Sequence, residues 1–208
     1  MKVIERKLIE AGISPIAGVD EAGRGACAGP LLVASVILKD PCDPALAPIR
    51  DSKELTESAR EKLFDLIHEQ ALAISIIEIS AQEVDSRGVH AANLDGMRRA
   101  VQGLDSAPRY VLTDGYEIAG LGIPALAVWK GDQVVVSISA ASIIAKVTRD
   151  RAMRDLDARY PGYGFARHKG YITAAHSTAL RTLGPCPDHR RSFSNVAEVI
   201  NSSNLSTK

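Results

Sequence analysis

Several things are scarce in this chain, and each scarcity removes a class of protein. Three cysteines, Cys27, Cys42 and Cys186, stand in 208 residues with no two close enough for a CxxC pair. That argues against a disulfide framework and a zinc knuckle, and a reducing cytoplasm is the expected setting. Long apolar runs are missing. Met1 to Glu10 is broken by Lys2, Glu5, Arg6, Lys7 and Glu10, unlike a secretion signal, and no span approaches membrane length. There is no internal repeat and no low-complexity block. Neither a Gly-Lys-Ser/Thr phosphate loop nor a GxGxxG fingerprint occurs. Net charge is missing too, with 25 Lys and Arg against 25 Asp and Glu. What remains, 46% apolar and 24% charged residues, is the composition of a globular chain with a real core, long enough for one domain with a small appendage.

The zero net charge conceals a division. Residues 144–193 hold 10 Lys or Arg against 4 Asp or Glu, whereas the first 143 residues hold 14 against 20. An acidic body joined to a basic C-terminal third is compatible with a carboxylate site flanked by a surface for polyanions, and equally with two differently decorated solvent faces.

Hydrophobic patterning predicts strands over 13–19, 31–38, 74–79, 110–113 and 123–129, with helices over 56–72, 91–104, 139–160 and 173–183. The prolines at 41, 44 and 48 predict a loop over 40–48, and Thr56 reads as an N-cap. The long helix is apolar at Ile143, Ile144 and Val147 and basic at Lys146, Arg149 and Arg154. Trp129 is expected in the core, and the Ser/Asn-rich tail after Val199 is expected to fray.

The informative stretch is Gly18-Val19-Asp20-Glu21-Ala22-Gly23-Arg24-Gly25. On a regular strand Asp20 and Glu21 point to opposite faces, so for both to reach one site the chain must leave strand geometry, which Gly23 and Gly25 permit. Two close carboxylates repel, and a divalent cation is the usual remedy; a solvated acidic turn is the alternative. Asp114 and Asp132 follow the fourth and fifth predicted strands, where Asp-Gly and Gly-Asp pairs are also ordinary turn chemistry. If strands one, four and five are neighbours, Asp20, Glu21, Asp114 and Asp132 reach one edge, and four hard oxygen donors there suit Mg²⁺ or Mn²⁺.

The DEAGRG stretch, Asp51-Ser52-Lys53, Leu112-Thr113-Asp114-Gly115, Lys130-Gly131-Asp132, the run from Ile138 to Val147, and Tyr163-Gly164-Phe165 through His168-Lys169-Gly170-Tyr171 together resemble the ribonuclease HII family, in its order and spacing, from about Ile16 to Phe193. The resemblance implies an α/β fold: a ribonuclease H-like mixed five-stranded sheet flanked by helices over 1–160, with a C-terminal helical extension and disordered tail over 161–208. It implies endonucleolytic cutting of RNA paired with or embedded in DNA, by two divalent ions held by Asp20, Glu21, Asp114 and Asp132. Gly23-Arg24-Gly25 is similar to the family's sensor of the ribose 2′-hydroxyl, and Tyr171 matches the tyrosine that packs on the sugar at the RNA-to-DNA junction. Lys53, Ser139, Ser142, Lys146 and Arg149 lie in matching blocks as phosphate contacts, although Lys146 and Arg149 read equally well as an exposed helix face.

Ala26-Cys27 stands where many members have a proline, and Gln133 follows Asp132 where a small or basic residue is frequent. Both bear on loop shape and metal preference, and neither removes a ligand. His168 and His189 sit among basic residues, within reach of phosphate. His68, His90 and His176 read as surface or capping residues, and no histidine is assigned to metal. Cys27 reads as inert packing. Two other classes compete: a catalytically silent nucleic-acid-binding module, and a metal-dependent phosphohydrolase of small substrates, which needs neither the basic segment nor Tyr171. A monomer is expected. A replication clamp is a further partner for which the tail offers no docking motif.

Overall fold

The computed structural model describes residues 3–51 and 55–205. Its elements are α1 (Val3–Glu10), β1 (Ile16–Ala22), β2 (Leu31–Leu38), a 3-10 helix (Pro44–Asp51), α2 (Glu57–Gln70), β3 (Ala71–Ile79), α3 (Ala81–Arg87) and α4 (Val89–Gln102). They continue with β4 (Tyr110–Asp114), β5 (Ala125–Val128), α5 (Gly131–Val134), α6 (Val136–Arg159), α7 (Phe165–His168), α8 (Ala174–Leu183) and α9 (Ser194–Leu205). The strands form one mixed sheet in the order β3-β2-β1-β4-β5, with β1 antiparallel to β2 and parallel to β4, and β4 parallel to β5. This is the α/β class and the five-stranded mixed sheet that the sequence predicts.

Boundaries differ where pairing overrides pattern. β1 starts later than predicted and does not leave strand geometry at the acidic pair, because β2 offers partners to its end: Asp20 lies opposite Ala34, Glu21 opposite Val33 and Ala22 opposite Leu32. The Thr56 hydroxyl caps α2 by accepting from Ala59 N–H, but the helix stops at Gln70 because Ala71 turns extended and opens β3. The proline-rich segment keeps loop structure over 40–43 but from Pro44 onward is a 3-10 helix. Pro44 takes its first position, where no N–H partner is needed, and buried Leu46 and Ile49 align at the three-residue repeat of that helix. α9 continues to Leu205 instead of fraying after Val199, since Val196, Val199 and Ile200 share one face and pack with Cys27 and Leu180.

Contacts divide the chain into two compact units: Met1–Ala22, Leu32–Ile77 and Leu94–Val147 in one, Gly23–Leu31, Glu78–Asn93 and Thr148–Lys208 in the other. α6 contributes to both units. In the first unit Val36, Leu46, Ile49, Ile67, Ile143 and Ile144 form one core cluster, and Ile16, Leu112, Val128, Val135 and Ile138 form another, onto which Ile4 and Leu8 of α1 pack. In the second, Met153, Leu156, Tyr163 and Phe165 pack with Ala28 and Cys186.

Two sequence features bring β1 against the start of α6. Gly18 is bare because a Cβ there would lie 2.1 Å from the carbonyl carbon of Ser137. Glu5, fully buried, caps the same turn: its carboxylate accepts from Val136 N–H and Ser137 N–H, each at 2.9 Å, and from the Ser137 hydroxyl. Orphan donors of the helix start are thereby satisfied, and a negative charge sits at the positive end of the helix dipole.

Candidate active site

The acids of the first unit meet at one sheet edge. Val19 is opposite Thr113 across the parallel β1–β4 pair, and the next residues, Asp20 within β1 and Asp114 at the end of β4, lie close enough for their charges to act on each other. Carboxyl ends of parallel strands are where open α/β sheets gather ligands. Asp132 comes from the continuation of β5: Lys130 turns the chain in a left-handed conformation, φ 52°, and α5 begins at Gly131. A non-glycine residue in that region costs about 1–2 kcal/mol and persists where its surroundings hold it. Here the hold is Asp114, whose Oδ1 accepts from Gly131 N–H at 2.7 Å, while Gly115 N–H donates to Val128 O at 3.0 Å. Glu21, Asp114 and Asp132 thus line one cavity of about 350 Å³ with Gly115, Tyr116, Trp129 and Lys130.

Asp20 is 6% exposed. Burial, then the charges of Glu21 and Asp114, raise its pKa well above the ordinary carboxylate value; hydrogen bonds from the Ser142 hydroxyl and from Glu21 N–H (2.8 Å) pull the other way. Glu21 Oε2 and Asp132 Oδ1 are buried without a hydrogen bond, although both residues make other contacts. Among the described residues no three Asp, Glu, His or Cys side chains already enclose an ion position. Close carboxylates repel, so the cluster calls for a counter-charge. Its donor chemistry fits a hard divalent cation: the four side chains offer only oxygen, and the open cavity leaves room for the waters that Mg²⁺ retains.

The second unit holds Gly23, Arg24, Gly25, Arg149 and Tyr171. Gly23 has φ 87°, and a Cβ there would fall 1.8 Å from Arg149 Nε, whereas Gly25 is exposed with nothing near its missing Cβ. The Arg149 guanidinium donates from Nε to Pro30 O (3.0 Å) and from Nη2 to Ala28 O (3.2 Å), and lies over the Tyr171 ring, 5.4 Å from its centroid. Arg190 donates from Nη1 to Arg24 O (3.0 Å) and from Nε and Nη2 to Gly29 O (3.2 and 3.0 Å). Burial lowers the pKa of both arginines; with the added charge of Arg149, that of Arg190 falls to about 10, so it stays cationic at neutral pH. Two buried guanidinium groups therefore hold the carbonyls of the segment that begins with Gly23-Arg24-Gly25.

Tyr171, 40% exposed, is held through its own carbonyl. His189 Nδ1 accepts from Cys186 N–H (3.0 Å), which puts the His189 proton on Nε2. That proton is donated to His176 Nε2 (3.1 Å), and His176 Nδ1–H donates to Tyr171 O (2.9 Å). Both rings are neutral in this relay: burial lowers the pKa of His176, and burial followed by the proximity of His176 takes His189 to about 4.

Several expectations are corrected. Arg149 is not on an exposed basic face; it is fully buried, and its hydrogen bonds go to carbonyls. The Ser139 hydroxyl donates to Asp132 O and Val135 O, so it anchors the Asp132 turn, and Ser142 serves Asp20. His176 and His189 are buried rather than on the surface or at phosphate. Trp129 is 81% exposed, because Val128 takes the core side and the next residue faces away. Arg24 and Lys146 are half-buried, and Lys53 lies outside the described residues. Arg190 and Glu5 escaped the sequence reading: a His-Arg-Arg run resembles surface charge, and a lone acid in an amphipathic N-terminus carries no mark of burial.

The ribonuclease HII family matches residues 17–196. Ribonuclease HII of Mycobacterium avium (strain 104) is 56% identical over 203 residues, spanning 98% of this chain and 88% of that protein. Among solved structures, ribonuclease H2 from Pyrococcus horikoshii OT3 has a TM-score of 0.79 at 28% identity, covering 91% of this chain and 98% of its own. RNase HII of Archaeoglobus fulgidus, solved in a complex with PCNA, has a TM-score of 0.75 at 24% identity over 88% and 96%. Bst-RNase HIII in complex with Mn²⁺ shares the fold at 0.70 and 18% identity over 91% and 70%. With a family match over most of its length and a relative this similar, the chain belongs to the ribonuclease HII family and is a metal-dependent endonuclease of the ribonuclease H type.

Proposed function

We propose that the chain cuts the RNA strand of RNA/DNA hybrids and ribonucleotides embedded in duplex DNA, leaving 3′-hydroxyl and 5′-phosphate ends, in ribonucleotide excision repair and RNA primer removal. The observation that carries this reading is the convergence of Glu21, Asp114 and Asp132 on one cavity, with Asp20 electrostatically coupled to Glu21 and Asp114. Asp20, Glu21, Asp114 and Asp132 would hold two divalent ions, Mg²⁺ or Mn²⁺, which when bound supply an activated water and neutralise the charge that grows on the leaving oxygen. The chain's own groups hold the ligands ready: Ser142 orients Asp20, Gly131 N–H fixes Asp114, and Ser139 anchors the Asp132 turn.

Catalysis is assigned to residues 1–160 and substrate engagement also to the extension over 161–208. In this reading Gly23, Arg24 and Gly25 sense the ribose 2′-hydroxyl and Tyr171 packs on the junction sugar. Lys53 and Lys146 remain candidate phosphate contacts, while Arg149, Ser139 through its carbonyl bonds and Ser142 through Asp20 act by positioning others. We read the enzyme as a monomer. A sliding clamp is the protein partner to test, given the Archaeoglobus fulgidus complex. Among the described residues no helix is long and apolar enough to cross a membrane.

The test is a duplex containing one ribonucleotide, incubated with Mg²⁺ and then with chelator, with the cut position mapped. Cleavage beside the ribonucleotide that chelation abolishes is expected. Asp20→Asn should abolish it while hybrid binding stays measurable, and full turnover in that variant would reject the ligand assignment. Binding that hardly weakens with added salt would favour a small-molecule phosphohydrolase instead.

A further inference from the structure

We infer that Trp129 is a substrate-packing residue: its indole forms an aromatic wall of the carboxylate cavity and lies against a sugar of the strand whose phosphate the acids serve. This rests on the endonuclease reading above and adds a contact that ribose sensing does not require.

Exposure alone carries little, since single apolar residues in water are ordinary. Position carries more. Trp129 lines the same cavity as Glu21, Asp114 and Asp132, together with Tyr116 and Lys130. Its backbone is fastened to the Asp114 strand end on both sides. Val128, the preceding residue, pairs opposite Asp114, and its carbonyl accepts from Gly115 N–H at 3.0 Å. Gly131, two residues on, donates to Asp114 Oδ1 at 2.7 Å, and Lys130 between them is set at φ 52°. The indole is therefore carried on a held turn, and with Val128 buried it projects to the open side.

The chemistry is complementary. Carboxylates by themselves repel a polyanion, so the cavity needs other surfaces for the parts of a nucleotide that carry no charge, and Trp129 and Tyr116 offer them. An indole packed on the apolar face of a sugar reads no base, which suits an enzyme that distinguishes sugars rather than sequences.

Trp129 is the chain's one tryptophan, so emission excited at the red edge of its absorption, where the five tyrosines do not absorb, reports on this side chain alone. In the Asp20→Asn background, where cleavage is suppressed, unlabelled hybrid duplex should quench and blue-shift the emission. The change should follow the isotherm measured separately by anisotropy of a labelled duplex. In the otherwise native enzyme, Trp129→Ala should raise KM about tenfold to a hundredfold with kcat within about threefold, while Trp129→Phe keeps KM within about threefold. Both variants should melt with the parent, because the side chain they alter is exposed. Emission that stays constant while anisotropy saturates, or an unchanged KM in Trp129→Ala with cleavage intact, overturns the Trp129 assignment and leaves the endonuclease reading standing. Absence of both binding and cleavage in the native protein overturns the two together.

Discussion

Gly23 and Gly25 flank the same arginine, yet the structure separates them sharply. An alanine at 23 must adopt φ 87° and place its Cβ 1.8 Å from Arg149 Nε. The left-handed conformation costs about 1–2 kcal/mol. Arg149 cannot step aside without breaking a charge-assisted bond to Pro30 O or Ala28 O, each worth roughly 1.5–3 kcal/mol. Gly23→Ala should therefore destabilise by about 3 kcal/mol or more, a fall in Tm of roughly 6–12 °C for a chain this size. Gly25→Ala meets nothing within 4 Å and should stay within about 0.5 kcal/mol of the parent. Urea unfolding and thermal melts of both variants, run beside cleavage of a single-ribonucleotide duplex, test this. Gly23→Ala should lose stability and cleavage together, whereas Gly25→Ala should lose cleavage with its melt unchanged, if the bare backbone there approaches the sugar. In an Arg149→Ala background the collision is gone, and Gly23→Ala should cost only its backbone strain. Equal melting of the two single variants would refute the reasoning, as would full additivity in the double variant.

Glu5→Ala removes the acceptor of two backbone N–H groups and one hydroxyl at a buried helix start; a loss of about 3 kcal/mol is expected in urea unfolding, and one below about 1 kcal/mol would deny the cap its role. His189 takes up its proton near 6.5 when unfolded but only near 4 in the fold, so the unfolded state holds the extra proton in between. Stability is then full above pH 6.5 and falls as the pH drops towards 4, by up to about 3 kcal/mol from this group; a urea midpoint that is flat across that window would contradict the neutral relay. Asp20 has the opposite sign: its raised pKa favours the protonated fold, so the cation-free protein loses stability as pH rises through the folded value. At a given pH, Mg²⁺ at about 100 times its Kd should raise stability by about 2.7 kcal/mol; at one fixed Mg²⁺ concentration the Tm shift should grow as the pH rises and Asp20 ionises, and Asp20→Asn should blunt that growth.

The sheet was largely legible because its strands are apolar runs bounded by turn residues, and β2, apolar but for Ser35, is found at its predicted limits. Errors fell where partners decide. Asp20 and Glu21 stay in β1 because β2 pairs with them, and no local property of an Asp-Glu pair reveals that. Ala71 and Leu72 continue a helical pattern yet pair as strand. Proline suggested a loop over 40–48, but a 3-10 helix needs few donors, and its three-residue repeat was hidden inside a short segment.

The acids were legible for a related reason: a strand end is a local feature, so Asp114 and Asp132 could be placed without knowing what lay beside them. The basic residues were not, because charge tells nothing about depth when the partner is a backbone carbonyl far away in sequence. Arg149 bonds Pro30 O across 119 residues and Arg190 bonds Gly29 O across 161. Both were counted among the 10 basic residues of 144–193, and neither side chain is available to a phosphate. The excess of positive charge that first suggested a polyanion surface is thus partly internal scaffolding, spent on the turn that follows the acidic pair. Trp129 is the converse case: a residue type that composition assigns to the core stands in water at the mouth of the carboxylate cavity. A residue's surroundings, more than its type, decide whether it builds this site or serves it.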